Sequence, residues 1–111
     1  GSPLHCRGRY FDPVAGRAGM PEGVGALVEK LEDESMVLTL VNTDPVAGRE
    51  VIVQGGAYAE HQFTSVTVDG KETAVDDSSF AVELAPGAGA RLEIGMKRYA
   101  NGVTFAFPWD R

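Results

Sequence analysis

Cysteine is nearly missing: Cys6 is the only one in 111 residues, so no disulfide can close within the chain. No apolar run approaches the ~18 residues of a helical membrane span, and no signal peptide stands at the front. Positive charge is short, with 10 Lys and Arg against 16 Asp and Glu and a formal net charge of −6. The basic residues are also scattered, Arg7, Arg9 and Arg17 near one end and Arg91, Lys97 and Arg98 near the other. A phosphate backbone calls for clustered Lys and Arg, so nucleic acid is not an expected partner. Soft metal ligands stop at His5, Cys6 and His61, without the CxxC or HxxxH spacing of a zinc site. Asp69, Asp76 and Asp77 could offer hard oxygens from turns, but they do not follow an EF-hand loop. A Gly-x-Ser-x-Gly elbow and a full dinucleotide fingerprint are both lacking. The sequence therefore predicts no metal, no cofactor and no catalytic residue.

What is present is a β pattern. Hydrophobic residues make up 43%, and the length suits one domain with a core that needs no staple. Phe80, Val82 and Leu84 alternate with Ala81 and Glu83; Leu92, Ile94 and Met96 alternate with Arg91, Glu93 and Gly95. With the turn formers Ala85 to Ala90 between them, the two runs read as an antiparallel hairpin. Met36 to Val41 is almost wholly apolar and reads as a central strand covered on both faces. Arg49–Gln54 and Gln62–Val68 follow. Phe63 and Val66 have opposite parity, which a bulge near Thr64-Ser65 would reconcile. Asp69-Gly70 signals a tight turn into a short edge strand, Lys71–Val75. Asn101-Gly102 signals another hairpin, leading into Val103, Phe105 and Phe107.

The front of the chain reads differently. Gly1-Ser2 has the look of a cleaved-tag remnant, which implies a piece cut from a longer protein. Residues 3–11 suit a first strand, followed by loop to Gly19. Pro21 to Glu32 predicts the one helix, with Val24, Leu27, Val28 and Leu31 on one stripe, although Gly23 and Gly25 weaken it. The expectation is an all-β protein: an antiparallel β-sandwich of seven to eight strands over residues 3–111, with 3–35 a strand-loop-helix lead-in. A small barrel is the alternative.

Few residues invite chemistry. Glu60 beside His61 could form an oriented general base, but neighbours on a strand face opposite ways. Sugar recognition is better served. Tyr58, His61, Gln62 and Trp109 could stack on a ring and hydrogen bond to its hydroxyls, or the rings could pack the rim of the core or an interface with a neighbouring domain.

The strand Val37-Leu38-Thr39-Leu40-Val41-Asn42, the following Arg49-Glu50-Val51-Ile52-Val53, and the Leu84-Ala85-Pro86-Gly87…Leu92-Glu93-Ile94 run resemble the β-sandwich domains appended to glycoside hydrolase catalytic domains. The resemblance covers residues 36–96. It implies a non-catalytic accessory domain that packs on its neighbouring domain and touches oligosaccharide. A structural or self-association module pairing through a sheet edge is the second reading.

Overall fold

The computed structural model describes residues 8–110, and the predicted strand positions 3–7, with His5 and Cys6, lie outside that range. Among the described residues nine strands, rather than the expected seven to eight, run in chain order: β1 Gly8–Asp12, β2 Arg17–Ala18, β3 Val24–Leu31, β4 Ser35–Asn42, β5 Arg49–Gly55, β6 Gln62–Val68, β7 Lys71–Asp77, β8 Ser79–Leu84 and β9 Gly89–Lys97. They form two antiparallel sheets, ordered β2-β1-β5-β8 and β3-β4-β9-β6-β7. Met36, Leu38, Leu40, Phe63, Leu92, Ile94 and Met96 of the larger sheet meet Val51, Val53 and Leu84 of the smaller one in a single core. The architecture is the expected sandwich rather than a barrel.

Alternation decides what each strand buries. In β4, Met36, Leu38, Leu40 and Asn42 are buried, whereas Val37 and Thr39 are half-buried and Val41 is exposed. This strand thus covers only one face, not both, because its neighbours continue a sheet whose outer side carries Arg91, Glu93 and Lys30. The anticipated bulge is present: the register of β6 shifts between Phe63 and Ser65 against both neighbours, which turns Phe63 and Val66 to the same side. Gly95 sits opposite, and a Cβ there would lie 2.6 Å from Thr64 Oγ1, so the bulge presses into room that glycine leaves. Asp69 and Gly70 both have positive φ, as a two-residue hairpin turn demands, and β7 is an edge strand.

Three further expectations are corrected. Pro21–Glu32 is not a helix, and the described residues contain none beyond a 3-10 turn at Pro108–Asp110; residues 24–31 form edge strand β3. A bulge between Val28 and Lys30 explains the mistaken period. Before it, alternate residues Val24 and Val28 lean on the core; after it, the shifted parity brings in Leu31, so a strand mimics the spacing i, i+4, i+7. Leu27, which a helix would bury, is exposed. Second, β8 and β9 are not a hairpin. β8 pairs with β5, while β9 lies between β4 and β6 in the other sheet. Residues 85–88 can reach roughly 13 Å when extended, enough to cross the ~10 Å between packed sheets. Third, Val103–Phe107 joins no sheet.

The connection after β4 has its own electrostatics. Asp44 Oδ1 accepts the Ala47 and Val46 amides at 2.9 and 2.8 Å, and its other oxygen meets Arg49 at 2.8 Å. The two amide bonds, then the Arg49 charge, hold the Asp44 carboxyl below the ordinary carboxylate range. A depressed folded value stabilises the fold above the ordinary pKa, and that contribution is lost as pH falls through the folded value. Asp44→Asn keeps an acceptor but cannot titrate. Its urea midpoint is therefore expected to fall less than the wild type's between about pH 5 and about pH 3. Parallel acid limbs for the two proteins would contradict this.

Candidate functional site: the 55–61 loop and the C-terminal strap

Between β5 and β6 the chain makes a tight loop, and its bonds are local. Buried Gln54 donates through Nε2 to the carbonyls of Gly56 (3.0 Å) and Ala57 (3.2 Å). The Gly55 carbonyl accepts the His61 amide at 3.0 Å, closing the loop. A Cβ on Gly55 would stand 2.5 Å from the His61 carbonyl oxygen, so only glycine allows this approach.

The segment after β9 is laced onto that loop. The Tyr99 amide donates to His61 Nδ1 at 3.0 Å, the Asn101 amide to the Glu60 carbonyl at 3.2 Å, and the Thr104 amide to the Tyr58 carbonyl at 2.8 Å. From there residues 103–110 run as a strap over the outer face of the smaller sheet. Tyr10 of β1 packs on the core, so its neighbour Phe11 faces outward, and Phe107 and Trp109 cover it edge-on at 5.8 and 6.0 Å. Phe107 and Trp109 stack at 5.1 Å, while Phe105 meets Tyr58 at 5.0 Å. Arg9 joins the patch, its guanidinium 5.0 Å from the Phe11 ring centre and donating to the Ala57 carbonyl.

The four residues singled out from the sequence have different fates. Tyr58 and Trp109 belong to this patch and are 43% and 39% exposed. His61 is fully buried; its ring lies edge-on against Tyr99 at 4.8 Å, and Nε2 has no hydrogen-bond partner. Because Nδ1 is an acceptor, the neutral ring carries its proton on Nε2. Gln62 is engaged at both ends, accepting from Asn101 Nδ2 at 2.9 Å and donating to Asp76 Oδ1 at 3.2 Å. His61 is thus buried beneath the strap, and half-buried Gln62 holds it through Asn101. The Glu60–His61 pair does not form, since the Glu60 carboxylate accepts the Tyr58 amide at 2.9 Å.

Sequence reasoning missed Arg9, Phe105 and Phe107 as members of the patch. The available signal was residues 99–109, an aromatic window without a single charged side chain. Cavities elsewhere offer less chemistry. One of ≈ 550 Å³ is lined by Val14, Gly48, Arg49, Glu50, Glu83, Leu84 and Ala85, and Arg49 is already engaged by Asp44 and the Glu22 carbonyl. Among the described residues no group of three or more His, Cys, Asp or Glu could hold a metal ion, and no helix is long and apolar enough to cross a membrane. Fold and surface together define a β-sandwich carrying an aromatic contact patch. No family model, curated protein or solved structure matches the chain.

Proposed function

We propose that this is a non-catalytic accessory domain of a larger, carbohydrate-active protein, which packs on a catalytic domain and contacts oligosaccharide through Trp109 and Tyr58. The observation that carries the reading is the pair of ring couples, Phe107–Trp109 and Tyr58–Phe105, held half-open on an outer sheet face. Partly exposed rings fixed by their neighbours give apolar faces for the C–H surface of a sugar at little ordering cost, and the Tyr58 hydroxyl adds a polar handle.

Trp109 is the only tryptophan, so its emission reports on the patch alone. Titration with neutral oligosaccharides should give a saturable change with a dissociation constant of about 0.1–1 mM, as suits a shallow contact. Trp109→Ala, which also uncovers Phe11, should abolish binding detected by calorimetry at temperatures where the variant stays folded. Emission that stays flat up to about 10 mM of every sugar tested would remove the sugar contact from the proposal.

A further inference from the structure

The Asn101-Gly102 pair carries the signal of a hairpin turn, yet it joins no sheet and gives no ring to the patch. It is the latch of the strap. The Asn101 amide donates to the Glu60 carbonyl at 3.2 Å, and Nδ2 donates to Gln62 Oε1 at 2.9 Å and to the Ala59 carbonyl at 3.4 Å. Asn101 thus ties the strap to residues 59, 60 and 62 at once.

The same residue is placed to lose its side-chain amide. An asparagine followed by glycine has a nucleophile built in. The next backbone nitrogen reaches the side-chain carbonyl carbon and closes a five-membered ring, with no Cβ on the glycine to obstruct it. Asn101 and Gly102 are both exposed. The Gly102 amide donates no hydrogen bond among the described residues, and a Cβ placed there would meet nothing within 4 Å. The chain's other asparagine, Asn42, is fully buried, precedes Thr43 and holds three carbonyls through Nδ2. Of the two, Asn101 alone combines exposure, an unengaged neighbouring nitrogen and a bare neighbour.

We infer that Asn101 is a site of spontaneous deamidation and that its conversion unlatches the strap. The Gly102 nitrogen bonds to Asn101 Cγ and gives up its proton as the Cγ–Nδ2 bond breaks. The side-chain nitrogen takes that proton and leaves as ammonia, and a succinimide remains. Water then opens either ring carbonyl, which yields aspartate or, with the backbone rerouted through the former side chain, isoaspartate. No oxidant, reductant or enzyme enters.

Both products undo the latch. A carboxylate has no N–H, so the bonds to Gln62 and Ala59 are lost and oxygen faces oxygen. Gln62 cannot compensate by turning its amide over, because its NH₂ end already serves Asp76 Oδ1 at 3.2 Å. Either way one carboxylate is left against an amide oxygen. Isoaspartate also adds a methylene to the backbone, which shifts Thr104 from the Tyr58 carbonyl it bonds. The reaction places the first charge in residues 99–109. This chemistry is independent of the sugar contact, and its readouts need no sugar.

The folded chain is held in mildly alkaline buffer beside a peptide spanning Tyr99–Thr104, and both are followed by mass spectrometry with peptide mapping. Asn101 of the folded chain should convert within about tenfold of the peptide's rate, while Asn42 keeps its amide. Gly102→Ala, whose methyl faces open space, should slow the conversion about tenfold or more. In the converted chain the Thr104 amide should exchange with deuterium about tenfold faster, and Asn101→Asp should reproduce that gain. A folded Asn101 that keeps its amide after the peptide has reacted would overturn the inference. So would a rate that Gly102→Ala leaves unchanged, or converted protein in which Thr104 exchanges as slowly as before.

Discussion

Phe63→Ala is expected to cost about 3–5 kcal/mol of unfolding free energy and to lower the melting temperature by about 15 °C. Phe63 is fully buried on β6, registered with Met96 of β9, and its ring meets Phe80 of the opposite sheet edge-on at 5.1 Å. Truncation removes its transfer energy and opens a cavity that both sheets border. Flanking residues cannot slide in, because the bulge beside Phe63 fixes their register. Domains of this size have only about 5–15 kcal/mol in hand, so the variant should stand close to unfolding at 37 °C. Urea denaturation followed by circular dichroism measures it; a loss under about 1 kcal/mol would show that the core closes over the gap.

Asn42→Ala should cost about 2–4 kcal/mol, although it removes no apolar contact. Asn42 ends β4 fully buried, and its Nδ2 donates to the carbonyls of Ala47 (2.9 Å), Ala85 (3.2 Å) and Leu84 (3.4 Å). Its Oδ1 accepts the Asp44 amide at 3.0 Å, and its own amide donates to the Ala88 carbonyl. One side chain thus joins the end of β4 in the larger sheet to the end of β8 in the smaller one. Without it, the buried Leu84 carbonyl and the partly buried carbonyls of Ala47 and Ala85 lose their donor. Asn42→Asp separates the two roles. It keeps the acceptor for Asp44 but offers the carbonyls a charge of the wrong sign, so it should be no more stable than Asn42→Ala. An aspartate variant of wild-type stability would show that the acceptor alone matters.

Much of the strand content was legible because burial on one face writes itself as alternation. β4, β5, β6, β7, β8 and β9 all start and end within about two residues of where their patterns place them. Partnership was not legible. The period of Phe80–Leu84 and Leu92–Met96 states which residues face inward, but it is the same whether the strands pair with each other or lie in opposite sheets. The bulge in β3 turned two strand segments into the image of a helical stripe. Val103–Phe107 carries a strand's pattern without a strand's partner; Phe105 and Phe107 rest on the rings of Tyr58 and Phe11 rather than in a sheet. Of the candidate site, Tyr58 and Trp109 were readable as aromatics near chain turns. His61 is buried and Gln62 half-buried, a placement that residue type alone does not reveal.

The placement of β9 has a consequence for how the chain acquires its structure. β9 is the interior strand between β4 and β6, yet it is the last of the described strands, and Ser35 waits for Gly95 to find its register. Until β9 docks, β3-β4 and β6-β7 are two separate hairpins, each with an unpaired inner edge, and isolated hairpins are marginal in water. Loops of this length must close before any contact compensates for them, which places folding in the slow, millisecond-to-second regime of sandwiches rather than among helical bundles. On a ribosome, the larger sheet cannot close until Gly89–Lys97 have emerged. Nascent chains therefore spend longest with the edges of β4 and β6 open, the interval in which a chaperone would matter most.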